Sequence, residues 1–343
     1  MFYRCAESGK RRERHVSGRI RSLACGVGLL GAALASGAND VATSPSEPAR
    51  LSAAALLLGV ASAGQSIVAV GDRGHVLVSD DAGRTWLQVG SPTQVLLTAV
   101  CFSDAHRGIA VGHDEVILVS GDAGRTWTRT HSAPEAQQPL LDVWCGAEGR
   151  AIAVGAYGGY FVSDDYGAHW SERQLEATNA KPVSDEAGGG VHLNAIAADV
   201  SSRLFVAAES GHLYRSDDRG QTWQELSSPY HGSLFGVLPV SGDVVLAFGL
   251  RGNLFRSEDA GATWRTVATG TEALLDGAAL LDDGGVVIVG LAGVVLLSRD
   301  GGRTFSLVSQ ADRKGLAAVR EVAKGVLVTV GEAGARLVSE PKQ

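Results

Sequence analysis

Six aspartates recur at one position of a repeated eight-residue motif, Ser-x-Asp-x-Gly-x-Thr-Trp, whose last residue is always aromatic. Paired carboxylates can act as acid, base or nucleophile, so these aspartates are the first candidates for chemistry. Their sixfold repetition argues against that role, because an active site needs one set of catalytic groups. An aspartate two residues before a glycine can instead accept hydrogen bonds from the free amides of a hairpin turn. We therefore predict a structural role for all six.

The glycine and the aromatic residue of each motif have structural roles as well. Glycine supplies the positive φ that such a turn needs. The aromatic residue, three positions later, begins the next strand and can wedge against a neighbouring sheet, where its burial contributes roughly 4–6 kcal/mol before entropy. The structural residues of the six motifs are Asp81, Gly83 and Trp86; Asp122, Gly124 and Trp127; Asp165, Gly167 and Trp170; Asp218, Gly220 and Trp223; Asp259, Gly261 and Trp264; and Asp300, Gly302 and Phe305.

The motif repeats at the period of a propeller blade. Successive copies are 41, 43, 53, 41 and 41 residues apart, and a seventh unit without a complete motif ends at Ser339. Each unit contains short apolar runs separated by turns rich in glycine and aspartate, which predicts a four-stranded antiparallel meander. Continuously apolar runs such as 109–111 and 286–289 are typical of strands covered on both faces. The sequence therefore predicts an all-β fold, a seven-bladed β-propeller.

The repeats also predict the limits of the blades. We expect them at residues 51–90, 95–131, 139–174, 191–226, 232–267, 273–308 and 315–339 of a domain that covers 39–343. The last unit lacks its outer apolar run, and an open blade would expose unpaired edge groups. We predict that an N-terminal strand near residues 39–49 closes it. The one long insertion, residues 175–192, is either a functional or a structureless surface loop.

The first 38 residues have the composition of a secretory signal peptide. Seven basic residues precede an uncharged stretch, 23–38, which contains the small-residue site Ala33-Leu34-Ala35. An uncleaved membrane anchor is the alternative, disfavoured because such a short stretch, diluted with glycine and alanine, hardly spans a bilayer. The sequence thus predicts a periplasmic or otherwise exported protein.

Charge and cysteine content narrow the partners and the compartment. The formal net charge is −7, and removal of residues 1–35 would make it about −12. Such acidity argues against nucleic acid or an anionic membrane as the main partner. Cys101 and Cys145 remain in the exported part, on the first strands of adjacent units. They form either a disulfide or two buried free thiols.

The topology of a propeller assigns residues to its faces. Loops between the second and third strands of a blade, and loops between blades, emerge on one face, which we call the collar face; the motif turns emerge on the other. Six of the nine histidines fall on the collar face, around the predicted channel mouth. This polar surface is the natural place to bind a partner. The candidate partner-binding residues, called the collar below, are Arg73, His75, His113, Tyr157, His212, Arg251 and Arg313.

No metal or other cofactor is expected. His75, His113 and His212 would have to meet within a few ångströms to hold a metal, yet they come from blades that are not all adjacent and have no fixed spacing. A solvated collar in which histidine suits an exposed turn explains them better.

The repeated motif resembles the Asp-box, or bacterial neuraminidase repeat, of sialidases and several other propellers. The unit length, the seven near-uniform units, the secretory leader and the recurrent Val-Gly-x-x-Gly, as at Val70-Gly71-Asp72-Arg73-Gly74, look most like the photosystem II stability and assembly factor family and its relatives in non-photosynthetic bacteria. The resemblance covers roughly residues 51–339. It implies a monomeric, non-enzymatic, exported scaffold that binds a protein partner, such as a subunit of a membrane complex.

The chain departs from that family in charge. A basic patch is associated with the family's role, whereas here Arg73, Arg251 and Arg313 stand among several acidic residues. This difference favours an envelope complex, such as a transporter, over a photosystem as the partner.

A glycoside hydrolase and a carbohydrate-binding propeller are the alternatives. A sialidase needs three arginines, a Tyr/Glu nucleophile pair and an acid/base aspartate, and it usually carries an Arg-Ile-Pro segment, which does not occur here. The residues from which a carbohydrate site could be assembled are Asp72, Glu115, Tyr157, Glu209 and Arg251.

Overall fold

The computed structural model describes residues 42–179 and 190–339, which belong to the unit Asn39–Gln343. The signal peptide predicted at residues 1–38 lies outside them. The described residues form 27 β-strands and nine single 3-10 turns, and none of them lies in a helix that is long and apolar enough to cross a membrane.

The strands form seven antiparallel meanders arranged as the blades of a propeller, which confirms the predicted fold class. Blades one to three consist of β1 (Leu57–Ala63), β2 (Ser66–Gly71), β3 (Val76–Ser79) and β4 (Leu87–Val89); β5 (Leu97–Phe102), β6 (Gly108–Gly112), β7 (Ile117–Ser120) and β8 (Thr128–His131); and β9 (Leu140–Cys145), β10 (Ala151–Gly155), β11 (Tyr160–Ser163) and β12 (Ser171–Glu172).

Blades four to seven continue the same order along the chain. They consist of β13 (Leu193–Ala198), β14 (Leu204–Ala208), β15 (Leu213–Ser216) and β16 (Gln224–Glu225); β17 (Leu234–Ser241), β18 (Val244–Gly249), β19 (Leu254–Ser257) and β20 (Arg265–Thr266); β21 (Leu275–Leu280), β22 (Val286–Gly290), β23 (Val294–Ser298) and β24 (Ser306–Ser309); and β25 (Leu316–Ala323), β26 (Val326–Gly331) and β27 (Arg336–Ser339).

The 3-10 turns are all three residues long. Six of them join the second and third strands of a blade, and the other three lie in connections. They span Ser52–Ala54, Asp72–Gly74, His113–Glu115, Pro134–Ala136, Ala147–Gly149, Ala156–Gly158, Glu209–Gly211, Leu250–Gly252 and Leu291–Gly293.

The second strand of each blade packs on both neighbours. In β2, Val68 and Val70 belong to the apolar core shared with the second blade, whereas Ile67 and Ala69 belong to the core shared with the seventh. Successive side chains of a strand point to opposite faces, so a strand between two blades must be apolar throughout. One such core fills each of the seven interfaces between described blades. Strand β1 contacts β25 as well as β5, so the ring is closed by packing.

The predicted closing strand is wrong for its described part. Residues 42–49 contain no strand, and several of them hydrogen-bond to the first two blades. The amide of Ser46 donates to the carbonyl of Ser91 at 2.9 Å, and the side chain of Gln88 donates to the carbonyl of Glu47 at 2.9 Å. The seventh sheet therefore has three strands among the described residues. Residues 39–41 lie outside the description.

The described start of the 175–192 insertion runs along the fourth blade. Ala177 forms a parallel bridge with Trp223, and the amide of Thr178 donates to the carbonyl of Trp223 at 2.9 Å. The side-chain amide of Asn179 exchanges two hydrogen bonds with the backbone of Glu225. This part of the insertion thus covers the outer edge of a blade; residues 180–189 lie outside the described part of the chain.

The two cysteines of the propeller form a disulfide. Cys101 of β5 and Cys145 of β9 are bonded, with their Cα atoms 5.7 Å apart. Of the two alternatives that the sequence left open, the structure therefore has the covalent link, which joins the inner strands of the second and third blades.

Candidate functional site

The collar stands on turns that are built in the same way in the first six blades. The amide that follows the second strand donates to the carbonyl just before the inner strand, as Asp72 does to Leu56 and Glu209 does to His192, at 2.9 and 3.0 Å. The residue at the tip then has a left-handed backbone, with φ of 51° at Arg73, 54° at Tyr157 and 57° at Arg251. Such a tip projects its side chain away from the blade.

Five collar residues are accessible. The side chain of Arg73 is 81% exposed and lies 3.7 Å from Asp72. Tyr157 is 55% exposed, and His113, Arg251 and Arg313 are also exposed. The guanidinium of Arg251 forms no hydrogen bond or ion pair with any described residue. Arg251 is thus free to meet a partner, and Arg73 is accessible to one despite its contact with Asp72.

The prediction that His75 is part of this surface is wrong. His75 is only 4% exposed, and its Nδ1 has no hydrogen-bond partner among the described residues. Burial lowers the pKa of its imidazole. Val116 and Val294, which follow the same turn in the second and sixth blades, are also buried. The position after the turn therefore points between blades, not into solvent.

His212 is partly withdrawn from the surface as well. Its Nδ1 lies 2.7 Å from a carboxylate oxygen of Glu225 on the outer strand of its own blade. No group of three metal-binding side chains occurs among residues 42–179 and 190–339. The three histidines considered above are therefore not brought together.

Tyr157, His192 and Glu209 lie in contact with one another between the third and fourth blades, on the collar face. The rings of Tyr157 and His192 meet edge to face, with centroids 4.8 Å apart. His192 Nδ1 lies 3.8 Å from Glu209 Oε2. Glu115 is similarly engaged in the second blade, 3.3 Å from His131 Nε2. Two of the acids proposed for a carbohydrate site are therefore paired with histidines.

The channel mouth is less polar than the sequence suggested. The residues that precede the inner strands lie nearest to it, because those strands line the channel. Among them are Leu56, Leu96, Pro139 and Leu274, all at least partly exposed. The collar turns stand one strand further from the axis. At the fourth, fifth and seventh blades the same position is occupied by His192, Ser233 and Gly315, so the polar collar surrounds a mouth that is apolar at four of the seven blades.

The central channel holds two carboxyl groups that sequence reasoning missed. The channel has a volume of about 430 Å³ and is lined by the inner strands, including Asp142 of β9 and Asp276 of β21. Asp142 Oδ2 accepts a hydrogen bond of 2.8 Å from the amide of Ile196 in the next blade, and Oδ1 accepts one from Val143. Asp276 accepts none from the described residues. The sequence does contain a signal for them, namely a single acidic residue inside an otherwise apolar inner strand, as in Leu275-Asp276-Gly277.

The environment of the channel changes the acidity of both groups. Desolvation raises the pKa of Asp142 to about 6, against two backbone hydrogen bonds that lower it. Desolvation, together with the negative charge of Asp142, raises the pKa of Asp276 to about 7. Carboxyl groups with raised pKa values can donate or accept a proton near neutral pH. Arg320 also lines the channel.

On the opposite face, the motif aspartates act within their turns. Asp259 Oδ1 accepts from Ser257 Oγ and from the amide of Thr263, both at 2.8 Å, and Oδ2 accepts from Thr263 Oγ1 at 2.6 Å. The third motif has His169 in place of threonine, with Nδ1 at 2.6 Å from Asp165 Oδ2. With both oxygens occupied, these carboxylates serve the turn geometry.

The motif glycines and aromatic residues join each blade to the preceding one. A Cβ on Gly124 would lie 2.7 Å from Val68 of the first blade, so only glycine fits. Trp127 packs into the core between the same two blades. Trp223 is 2% exposed, and its Nε1 donates to Tyr160 Oη at 3.2 Å. The motif thus holds its own blade against the preceding one.

One repeat is recognised by its sequence. The family model described as BNR-Asp box repeat matches residues 213–226, which include the motif that ends at Trp223. The chain carries an Asp-box repeat. No curated protein matches the sequence.

Solved structures with the same fold include proteins of different functions. YCF48 bound to D1 peptide is 17% identical, with a TM-score of 0.65 over 84% of this chain and 95% of that one. YCF48 from Cyanidioschyzon merolae is also 17% identical, with a TM-score of 0.66 over 86% and 98%. The GH74 xyloglucanase from Xanthomonas campestris is 16% identical, with a TM-score of 0.63; the similarity covers 84% of this chain and 52% of the enzyme. This chain therefore spans about half the length of the xyloglucanase. At these identities the similarity shows the fold alone.

Proposed function

We propose that this propeller is an exported, non-enzymatic scaffold that binds a segment of a protein partner through its collar face. The main observation behind this proposal is that Arg73, Tyr157 and Arg251 are exposed at the tips of turns whose left-handed backbone projects them from the blades. Aromatic and arginine side chains are the residues most often used as anchors in protein interfaces. The partner we propose is a subunit of an envelope membrane complex.

Two further observations support this proposal. YCF48, a propeller of the same fold, binds a D1 peptide in one of the similar structures. The disulfide between Cys101 and Cys145 supports export, because such bonds persist in oxidising compartments. The acidic net charge agrees with a protein partner better than with nucleic acid.

The experiment is charge reversal on the collar. Tagged protein carrying Arg73→Glu and Arg251→Glu is crosslinked in cells and purified, and the membrane subunits that co-purify are identified by mass spectrometry. We expect the double variant to lose them while its melting temperature stays unchanged, since both side chains are exposed. Unchanged capture would refute the proposal.

Matched control variants are available away from the collar. Arg84 lies in the first motif, where its guanidinium donates to the carbonyl of Asp81, and Arg265 lies on an outer strand; both are exposed. Arg84→Glu with Arg265→Glu makes the same change in net charge. Loss of the partner in this control as well would show an effect of total charge, not of the collar.

A hydrolase is the second candidate, and the channel is the observation that favours it. Asp142 and Asp276 have raised pKa values in one cavity, and a xyloglucanase shares the fold. Its test is turnover of fluorogenic sialosides, β-glucosides and xyloglucan oligosaccharides. Turnover that Asp276→Asn abolishes would establish an enzyme; no turnover leaves the scaffold.

A further inference from the structure

The outer edge of the seventh blade is open in the part of the chain that the structure describes. Six sheets have four strands and this one has three, so β27 is its outermost strand. Its residues pair with β26 on one side only, with Leu337 opposite Val328. In the first blade the equivalent strand β3 also pairs with β4, with Leu77 opposite Gln88. Strand β27 therefore presents the edge that a fourth strand occupies elsewhere.

The core beside this edge also differs from the other six. In those, the aromatic residue of a motif packs between its own blade and the preceding one, as Trp127 does between blades one and two and Phe305 between blades five and six. The described core between the sixth and seventh blades contains aliphatic residues only, including Leu297 and Leu327. The seventh unit also departs from the motif in sequence, because Pro341 and Gln343 follow Ser339 where the other units have aspartate and glycine.

An apolar side chain is exposed at the edge itself. Leu337, in the middle of β27, is 41% exposed. Edge strands with free backbone groups pair readily with an added strand, whose main-chain hydrogen bonds supply affinity and whose side chains supply specificity. The six complete blades show which segment fits: an aromatic residue, then directly a strand such as Leu87–Val89.

We propose that an extended segment of a partner protein completes the seventh blade. It carries an aromatic residue that enters the core between the sixth and seventh blades, followed by about three residues that pair antiparallel with β27. This inference rests on the proposed function, which supplies a protein partner, and adds a second contact to the collar.

The chain's own N-terminal segment is the less suitable occupant. The described residues nearest to it are already held elsewhere: Ser46 bonds to Ser91 of the first blade, and the carbonyl of Ala42 accepts a hydrogen bond from Arg129 of the second. Residues 4–56 also contain no Phe, Tyr or Trp that could enter the core, so we assign the edge to a partner.

The probe for the test is a peptide copied from one of this protein's own complete blades. A fluorescein-labelled peptide with the sequence of residues 298–310 contains the sixth motif, its Phe305 and the strand Ser306–Ser309. It is titrated with the full chain and followed by fluorescence anisotropy. We expect saturable binding, weakened at least about tenfold when Phe305 of the peptide is replaced by alanine and abolished when Leu307 is replaced by proline, which removes a strand amide.

Variants of the protein localise the binding. Leu337→Lys places a charge on the open edge and should weaken the peptide at least about tenfold. Leu307→Lys is the matched control, because that leucine is 39% exposed on the outer strand of a complete blade; it should leave the affinity unchanged. Hydrogen exchange at residues 336–338 should slow when the unlabelled peptide is bound.

Several outcomes would overturn the inference. Absence of saturation up to about 1 mM peptide would do so, as would affinity that Leu337→Lys does not change. Binding that appears only after residues 1–41 are deleted would assign the edge to the chain itself, and a dimer dissociated by the peptide would assign it to a second copy. This test needs no native partner and no collar residue, so its result is independent of charge reversal at Arg73 and Arg251.

Discussion

Cys101 of the second blade and Cys145 of the third are covalently joined, at a sequence separation of 44 residues. Both lie on inner strands, so the bond links two blades near the axis of the ring. A crosslink of this length restricts the unfolded chain, which stabilises the folded state by about 2–4 kcal/mol. Such bonds persist in oxidising compartments.

The first prediction concerns this bond. Replacing Cys101 and Cys145 together by alanine should lower the free energy of unfolding by about 2–4 kcal/mol, measured by urea denaturation under oxidising conditions. Dithiothreitol should destabilise the natural protein by a similar amount and leave the double variant unaffected. Equal sensitivity of both proteins to the reductant would contradict the assignment.

The second prediction concerns the turns that carry the collar. Gly211 has φ of +81°, and a Cβ there would lie 1.9 Å from the carbonyl oxygen of Tyr230. Gly211→Ala combines a left-handed alanine with a backbone clash, so we expect a loss of about 3–5 kcal/mol in the free energy of unfolding. Gly284, with φ of +83° and nothing near its would-be Cβ, is the control. Gly284→Ala should cost only about 1–2 kcal/mol.

Urea titrations of the two glycine variants separate the contributions. The difference between them isolates the close approach of the turn to the next inter-blade loop. If both variants lost the same stability, the approach at Gly211 would be unimportant and the collar turn would be held by its own hydrogen bonds alone.

The sequence was sufficient for the ring because its evidence is repeated. The motifs that begin at Ser257 and Ser298 are 41 residues apart, and each contains the aspartate, the glycine and an aromatic residue. Each such motif predicts one blade. The same hydrogen bonds then appear in the structure, as around Asp259. Repetition gave several independent observations of one local geometry.

Unique features were harder to predict, for reasons of geometry. His75 directly follows a surface turn, yet its side chain is buried between blades. Only the register of the following strand reveals this direction. Asp142 and Asp276 are separated by more than three repeats in sequence and share a channel only after the ring closes. Ser46, in the N-terminal segment expected to form the closing strand, instead hydrogen-bonds to Ser91, which follows the first blade.

The third prediction concerns acid stability. Hydrogen bonds from Thr85 and Thr263 hold the pKa of Asp81 and of Asp259 at about 2, below the ordinary value of 3.8. A carboxyl group with a depressed folded pKa adds stability above its unfolded pKa and loses it as the pH falls through the folded pKa. The free energy of unfolding should therefore fall steadily from about pH 4 to about pH 2.

Urea denaturation at several pH values between 5 and 2.5 measures this slope. Asp259→Asn should make it shallower and should lower stability at pH 7. Asp282→Asn is the control, because that exposed side chain accepts no hydrogen bond from a described residue. An unchanged slope in the Asp259 variant would show that other groups govern acid unfolding.

The last prediction concerns the channel. Desolvation and the charge of Asp142 raise the folded pKa of Asp276 to about 7, so the folded state is penalised progressively as the pH rises from about 4 to about 7, and fully above that. Asp276→Asn removes the charge. The variant should therefore be more stable than the natural protein at pH 8, and the gain should vanish near pH 4.

Asp142→Asn tests whether this gain comes from an unpartnered charge. The carboxylate of Asp142 accepts hydrogen bonds from Ile196 and Val143 with its two oxygens, and an asparagine has only one oxygen to offer. We expect this variant to gain less than Asp276→Asn at pH 8, or to lose stability. Arg320, the remaining charged side chain among the described channel residues, is unchanged in both. A gain that is equal for the two variants, or independent of pH, would mean that the channel does not disfavour the ionised form of Asp276.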